Sequence, residues 1–181
     1  MKTILLILFV LPVAVFAQLE ANNFKVTEEG RVIWQKVFEN SDVSFDDLIN
    51  TVNANRKFSD IQVSDNKITF LGTGIETDPK ASGFSRGSTS FYALGKIECF
   101  FTIDYKDNRY RITAINITSE VPVLNILNAS QSKYEQTPIE SSVGNGKGLK
   151  KGFIKKESKI MNDALEAQFQ IMKATITDDN W

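Results

Sequence analysis

The residues of this sequence that could do chemistry are carboxylates, lysines, tyrosines and one cysteine, because the chain contains no histidine. A Ser-His-Asp or Cys-His nucleophile and a histidine-ligated zinc, copper or iron site are therefore excluded. Two adjacent carboxylate pairs, Asp46-Asp47 and Asp178-Asp179, have the right atoms for a metal ligand. Neighbouring side chains diverge on a helix, however, and no calcium-loop spacing is present. We interpret both pairs as solvated, and we predict no catalytic residue, no metal site and no cofactor.

Six lysines lie in the segment GNGKGLKKGFIKKESK, namely Lys147, Lys150, Lys151, Lys155, Lys156 and Lys159. One interpretation is a contact with anions such as acidic glycans or lipid head groups, because positive charge near a helix N-terminus opposes the macrodipole and so does not stabilise the helix. The other interpretation, which we favour, is a solvated, glycine-rich linker that runs into a helix. The segment is not a phosphate-binding loop, because it lacks the Gly-x4-Gly-Lys-Ser/Thr pattern.

Residues 1–17 have the pattern of a secretory signal peptide. Lys2 supplies the positive charge, an uncharged apolar stretch follows, and Val15-Phe16-Ala17 is a small-residue cleavage site. A membrane anchor needs about 20 apolar residues, and this stretch is shorter and contains Pro12. We expect an exported protein, periplasmic or at the cell surface or secreted, that begins at Gln18 and has no integral membrane segment.

The length, the net charge and the single cysteine limit the number of domains, the kinds of partner and the covalent links that the chain can have. Cleavage removes 17 of 181 residues and leaves 164, enough for one domain with a proper core. It also removes one of 21 basic residues, so that 20 stand against 22 acidic ones and the net charge is −2. Such a chain has no overall attraction for nucleic acid, and we predict no nucleic-acid partner. Because Cys99 is the only cysteine, no internal disulfide can form.

The segment 97–118, IECFFTIDYKDNRYRITAINIT, predicts a β-hairpin about the turn Asp107-Asn108. On the face that we expect to be buried, Tyr105 is opposite Tyr110, Ile103 opposite Ile112 and Phe101 opposite Ala114. Cys99 extends this face, so we predict a packed core thiol. On the other face, Asp104 is opposite Arg111, Thr102 opposite Thr113 and Phe100 opposite Ile115.

The second face of the hairpin is the most informative local feature, because apolar residues interrupt its polar pattern. We predict that it is an open sheet face with five binding residues, Phe100, Thr102, Thr113, Ile115 and Ile117. An exposed apolar strip of this kind usually marks a contact surface. The alternative is that one of the long loop segments, 72–90 or 121–150, covers the strip. The sequence leaves both alternatives open.

The other predicted elements are strands at 24–26 and 32–38, a helix at 45–57, a hairpin at 61–70 about Asp65-Asn66 and a long helix at 153–177. In the hairpin at 61–70 we expect Ser64 opposite Lys67, Val63 opposite Ile68 and Ile61 opposite Phe70. Ser44 stands at the N-cap position of the first helix, with Asp47 three residues on to complete a capping box. The glycine-rich segments 72–90 and 119–152 fit no element, and such long loops are either functional or disordered. We predict that 119–152 is a flexible insertion, and that residues 24–118 and the last helix form one domain.

Three of these stretches, VIWQKVFE, Phe91-Tyr92 and KDNRYR, resemble an uncharacterised family of exported Gram-negative bacterial proteins. That family is described as a domain of unknown function with a TATA-binding-protein-like fold. The resemblance covers residues 24–118 and, more loosely, the C-terminal helix; Asn108 stands where the family more often has glycine. It implies an α+β fold in which a curved antiparallel sheet carries both helices on one face, in the order β-α-β-β-β-β-α. It implies no activity, and the name of the fold does not imply DNA binding.

Two functional hypotheses follow. The first is a non-catalytic exported domain, a protein-interaction or self-association module of the bacterial envelope, that uses the open sheet face. The second is a carrier of a small apolar ligand, held between sheet and long helix in a cavity lined by Trp34, Phe101 and Tyr105, with residues 72–90 as a lid. An enzyme that relies on carboxylates or lysines is a third hypothesis, which we disfavour.

Overall fold

The computed structural model describes residues 20–39, 43–107, 109–123, 133–144 and 148–169. The predicted signal peptide and residues 170–177 of the predicted C-terminal helix lie outside this part of the chain, as does Asn108. Within the described residues, no helix is long and apolar enough to cross a membrane.

The described residues form an antiparallel sheet and three α-helices. The strands are β1 (Glu20–Ala21), β2 (Phe24–Val26), β3 (Val32–Glu39), β4 (Phe58–Ser64), β5 (Lys67–Ile75), β6 (Ile97–Lys106), β7 (Arg109–Val123) and β8 (Lys133–Pro138). The helices are α1 (Phe45–Ala54), α2 (Glu140–Val143) and α3 (Ser158–Ala167). The strand order is β1-β2-β3-β7-β6-β5-β4, and β8 pairs with β7. The predicted α+β class, with its antiparallel sheet and C-terminal helix, is confirmed.

The core lies between one face of the sheet and the two longer helices. A single cluster of buried side chains combines Trp34, Phe70 and Phe101 of the sheet, Leu48 and Val52 of α1, and Met161 and Leu165 of α3. Burying each such side chain stabilises the fold by roughly 1.5–3 kcal/mol. Both helices therefore pack on the inward face of the sheet, and the opposite face lies outside this core.

Helix α1 begins where the sequence predicts it, because its N-terminus carries a complete capping box. The backbone N–H of Asp47 donates to Ser44 Oγ at 3.2 Å, and the backbone N–H of Ser44 donates to Asp47 Oδ2 at 2.9 Å. These bonds satisfy donors that have no partner inside the helix. The last helical residue is Ala54, three residues before the predicted end.

The β4–β5 hairpin has the predicted register next to its turn, where Ser64 pairs with Lys67 and Val63 with Ile68. Asp65 has a φ of 40°, in the left-handed region that aspartate tolerates. Further from the turn the register shifts between Ser59 and Gln62, so the predicted pairing of Ile61 with Phe70 does not occur. A bulge of this kind is common on an edge strand such as β4.

The sheet continues beyond residue 118, where the sequence analysis placed the end of the strands. β3 pairs with β7 as far as Ala114, and β8 then pairs with the same edge of β7 from Thr118 to Val123. The segment after β8 turns inward, because Ile139 and Val143 are buried in the core. The described part of the segment 119–152 therefore contributes both a strand and core residues.

The C-terminal helix begins at the predicted position but with irregular geometry. Residues Phe153–Glu157 form a π-helical turn, and α3 follows directly. Single π turns often occur at functional positions. Within the described residues α3 ends at Ala167.

Candidate functional site

The β6–β7 hairpin has the pairing that the sequence predicts. Every predicted pair from Tyr105–Tyr110 to Phe100–Ile115 is present. The inward residues Phe101, Ile103, Ile112 and Ala114 are all fully buried. On the outward face, Phe100, Thr102, Thr113 and Ile115 are partly exposed. The structure therefore brings four of the five predicted binding residues together on one open face.

Ile117 does not belong to this open face, and its predicted position is wrong. Its side chain is fully buried, and it belongs to the core cluster. The cause is a bulge, because the register shifts between Glu98 and Phe100, and Asn116 on the opposite strand has a φ of 52°. The extra residue on β7 turns the side chains that follow to the other face.

The open face is organised in rows that run across the strands. One row is polar and joins Gln35, Thr113, Thr102, Thr69 and Gln62. Gln35 Nε2 donates to Thr113 Oγ1 at 2.9 Å, so one side-chain hydrogen bond joins β3 and β7 in this row in addition to the backbone pairing.

A second row, nearer the β6–β7 turn, is charged. Arg111 Nη2 lies 2.9 Å from Asp104 Oδ2, and Lys67 Nζ lies 3.5 Å from Asp104 Oδ1. All three side chains are at least 31% exposed, so each ion pair contributes less than about 1 kcal/mol to stability. Their value lies in fixing the position of three charges on the face.

A third row is apolar and consists of Leu71, Phe100 and Ile115, which are cross-strand neighbours. Ile33 of β3 precedes the Trp34–Ala114 pair by one residue and extends the row. All four side chains are partly exposed. We call Ile33, Leu71, Phe100 and Ile115 the apolar row.

The three residues predicted to line a ligand cavity are not brought together. Trp34 and Phe101 are fully buried, and both contact the ring of Phe169, with centroids 6.5 and 5.3 Å apart. Tyr105 is partly exposed and lies 5.8 Å from the ring of Phe45. A hollow of about 560 Å³ lies between α1 and the end of α3, but none of these three residues lines it. In the described residues, Trp34 and Phe101 are thus part of the packing.

A polar network ties the N-terminal strands to α3, and sequence reasoning did not find it. The indole N–H of Trp34 donates to Asn162 Oδ1 at 2.9 Å, and Asn23 Nδ2 donates to the same oxygen at 2.7 Å. Asn162 is 8% exposed and donates in turn to Glu166, whose carboxylate pairs with Lys36. The signal in the sequence is the pair Asn22-Asn23, because asparagine tolerates the positive φ that both adopt.

The groups considered for chemistry in the sequence have ordinary structural roles where they are described. Cys99 is 1% exposed, and burial raises the pKa of its thiol, which favours the unreactive protonated form. Asp47 caps α1, and the hydrogen bonds from Ser44 lower the pKa of its carboxyl. Among the described residues, no group of histidine, cysteine, aspartate and glutamate side chains could hold a metal ion. Asp178-Asp179 lies outside the described residues.

Several lysines of the basic segment have partners within the protein. Lys150 Nζ donates to the carbonyl of Ser141 at 2.9 Å, and Lys159 pairs with Asp163 at 2.6 Å. Lys156 donates to the carbonyl of Ser88. The Lys156 contact joins the π-helical turn to the loop at Ser88, and the Lys159 pair lies within α3. Each of these contacts uses a donor that an anion contact would need.

A groove that the sequence analysis missed lies between the segment 76–96 and the β7–β8 pair. Two hollows of about 230 and 440 Å³ share Arg86, Leu94, Gly95, Glu120 and Tyr134 as lining residues. Phe91 lines the first hollow and is 62% exposed, while Tyr134 is 64% exposed. We call this feature the aromatic groove. Its residues come from three separate segments, so no local pattern could have revealed it.

The wall of the aromatic groove that carries Phe91 is anchored on both sides. Ser90 Oγ donates to Glu157 Oε1 at 2.9 Å, and Ser119 Oγ donates to the carbonyl of Tyr92 at 2.5 Å. Glu157 is 4% exposed and lies in the π-helical turn. Burial and this nearby carboxylate raise the pKa of Tyr92 to about 12, so its hydroxyl stays protonated at neutral pH.

The opposite wall approaches this segment very closely at Gly95. A Cβ atom at this position would collide with the backbone carbonyl of Glu120. The backbone N–H of Glu120 donates to the carbonyl of Lys96 at 2.9 Å, which joins the segment to β7. Glycine is required here because only a residue without a side chain permits such an approach.

No family model and no curated protein matches this chain. Among solved structures, the chain is similar to the crystal structure of a TBP-like protein from Parabacteroides distasonis ATCC 8503, with 21% sequence identity and a TM-score of 0.47 over 82% of this chain and 92% of the other. It is also similar to a DUF4468 family protein from Bacteroides ovatus ATCC 8483, with 16% identity and a TM-score of 0.47 over 86% of this chain and 93% of the other. Both descriptions agree with the resemblance drawn from the sequence, and neither names an activity, ligand or partner.

Proposed function

We propose that this protein is a non-catalytic, exported domain that self-associates through the open face of its sheet. The observation that carries the proposal is the pairing across the central strands. On the open face of β6 and β7, Phe100 is opposite Ile115, Thr102 opposite Thr113 and Asp104 opposite Arg111. Each pair joins groups of complementary chemistry: apolar with apolar, hydroxyl with hydroxyl, acid with base.

This pairing makes the face complementary to a second copy of itself. If two open faces stack about a two-fold axis that runs between β6 and β7, parallel to the strands, each β6 residue lies over its own β7 neighbour in the other copy. Phe100 then faces Ile115 and Asp104 faces Arg111 across the interface. Such an isologous contact is the commonest form of homodimer, and stacked sheets pack about 10 Å apart.

The same symmetry extends the apolar contact to the outer strands. The axis places Leu71 on β5 over Ile33 on β3, so all four members of the apolar row are covered by one another. The charged row lies at the rim next to the turn, where solvent limits the cost of desolvation. The polar row of Thr102 and Thr113 thus separates the apolar contact from the charges.

The area of the face indicates how strong the contact is. The axis pairs β7 with β6, β3 with β5 and β2 with β4, so six strands face the other copy. With strands about 4.8 Å apart and about five residues along each at about 3.3 Å per residue, the footprint is about 500 Å² per copy. This lies at the low end of specific protein interfaces. We expect a dimer that dissociates on dilution.

The other two parts of the proposal rest on the residues. The chain has no histidine, and its one cysteine is buried and protonated, which supports a non-catalytic role. Export is supported by the pattern of residues 1–17, and we expect the N-terminal residue of the protein recovered from the producing cells to be Gln18. An N-terminus at Met1 would contradict export with cleavage.

Sedimentation equilibrium over a range of protein concentrations tests self-association. We expect a concentration-dependent dimer for the unmodified protein and a monomer for the double variant Phe100→Lys/Ile115→Lys, with little change in its thermal unfolding because both side chains are already partly exposed. Val63→Lys is the matched control, since Val63 is 46% exposed and lies on the edge strand β4 outside the apolar row. A monomer at every concentration, or a double variant that still dimerises, would refute the proposal.

A charge exchange tests the symmetry itself. Asp104→Arg places like charges opposite each other across the proposed interface and should weaken the dimer. Asp104→Arg/Arg111→Asp restores opposite charges both within the chain and between copies, and should recover much of the association. An exchange variant as weak as the single variant would rule out the proposed axis.

A further inference from the structure

We propose that the aromatic groove is a binding site for a neutral saccharide. The site is separate from the open sheet face, and the proposal does not depend on self-association. It rests on three features of the groove: two exposed aromatic side chains, the rigid anchoring of the backbone that carries them, and a rim with balanced charges.

The exposed aromatic side chains are the first feature. Phe91 and Tyr134 are 62% and 64% exposed, and both line the same hollow. Two exposed rings that line one hollow form a shared apolar surface, and such surfaces mark interaction sites more often than single exposed side chains do. Aromatic faces bind partners that offer a flat apolar surface, and the C–H face of a sugar ring is such a surface.

The anchoring of these rings is the second feature. Phe91 begins a 3₁₀ turn, and its two neighbours along the chain are tied to buried groups, Ser90 to Glu157 and Tyr92 to Ser119. Tyr134 lies on β8 and is paired with Pro122 of β7. The backbone at both positions is thus fixed before any ligand arrives, and a preorganised site binds at a lower entropic cost.

The charges of the rim select the chemical class of ligand. Arg86 and Lys96 supply positive charge, and Glu76 and Glu120 supply negative charge, around the two hollows. None of these four takes part in an ion pair among the described residues. An anion would meet two carboxylates and a cation would meet two bases, whereas hydroxyl groups can bond to both. An amphipathic, uncharged ligand rich in hydroxyls, such as a neutral hexose or pentose polymer, fits this rim best.

Affinity gel electrophoresis with soluble starch, arabinoxylan and galactomannan tests the assignment. We expect at least one of these neutral polysaccharides to retard the protein, and raised salt to leave the retardation unchanged, because no net charge is neutralised. Phe91→Ala and Tyr134→Ala should each weaken binding by about tenfold, the effect of losing about 1.4 kcal/mol of ring contact. The control Val63→Ala removes an exposed apolar side chain outside the groove and should bind like the unmodified protein.

A separate test, at Ser90, asks whether the anchoring of the backbone next to Phe91 matters for binding. Ser90→Ala removes the bond to Glu157 without touching the groove surface and should weaken saccharide binding, whereas Ser90→Thr keeps the hydroxyl and should retain it. Thermal unfolding of each variant verifies that the fold is intact. None of these variants should change the dimer measured by sedimentation, so a failure here is distinguishable from a failure of the proposed self-association.

Three results would overturn the assignment. The first is the absence of retardation by all three polysaccharides. The second is retardation by polygalacturonate alone, abolished by salt, which would indicate an anion site. The third is binding of an extended proline-rich peptide in place of the polysaccharides, since such peptides also dock on exposed aromatic side chains.

Discussion

Phe100 and Phe101 are neighbours on β6 with identical side chains, and the sheet gives them opposite environments. Phe101 is fully buried and contacts the rings of Phe70 and Phe169, with centroids 5.2 and 5.3 Å apart. Phe100 is partly exposed and lies between Leu71 and Ile115 in the apolar row. Burial here is decided by the alternation of the strand and not by residue type.

The comparison separates two uses of apolar side chains in one sheet. On the inward face they interlock with the helices, and even Gly72 is constrained, because a Cβ atom there would lie 2.5 Å from the ring of Phe101. On the open face the apolar row lies across neighbouring strands, and its side chains are partly exposed. The inward face therefore determines the stability of the fold, while the open face is available for the association that we propose.

The largest expected difference is between Phe101→Ala and Phe100→Ala. Phe101→Ala leaves a cavity in a close-packed core and should lower the free energy of unfolding by about 3–5 kcal/mol. Phe100→Ala should cost about 1 kcal/mol or less. Urea unfolding followed by tryptophan fluorescence measures both, at a protein concentration low enough that the chain is monomeric. Equal losses for the two variants would mean that the open face is packed as tightly as the core.

A smaller effect is expected at Asn116, the bulge residue after which the alternate side chains of β7 that point inward are reversed. Its φ of 52° is costly for a β-branched residue, so Asn116→Val should lower the free energy of unfolding by about 1–2 kcal/mol. Asn116→Gly keeps the left-handed conformation accessible and should be close to neutral. Urea unfolding of the two variants provides the measurement. A valine variant as stable as the glycine variant would show that the left-handed conformation at residue 116 is not required. The bulge would then not explain why Ile117 is buried.

The same bulge marks the limit of what the sequence could predict in this hairpin. From Phe100 to Ile115 the alternation and the turn agree, and every predicted pair forms. Beyond Ile115 the sequence keeps its apolar alternation through Ile117. The backbone loses its regular alternation there, because the bulge adds one residue to β7. A bulge changes neither composition nor periodicity, so a pattern of alternate residues cannot locate it.

The regions that the sequence did not reveal share a physical cause. Helix α1 was predictable because its capping box and apolar stripe are local. Strand β8, with the sequence KYEQTP, has little apolar alternation and owes its place to the free edge of β7. The aromatic groove combines residues more than 40 positions apart, from Arg86 to Tyr134. Features made by tertiary contact leave no signal in a short window of sequence.

The smallest expected effect concerns the cap of α1, which helps to cover the inward face. Ser44→Ala removes the hydroxyl that accepts from the N–H of Asp47, and the loss of a cap costs about 1 kcal/mol at neutral pH. Ser44→Thr keeps the hydroxyl and is the control.

The bonds from Ser44 lower the pKa of Asp47 in the folded state. Their contribution to stability is therefore present above the unfolded pKa, about 3.9, and is lost as the pH falls through the lower, folded value. The difference in unfolding free energy between the unmodified protein and Ser44→Ala should therefore be greatest near pH 7 and shrink below about pH 4. A difference that stays constant down to the acid transition would show that the ionised carboxylate plays no part in the cap.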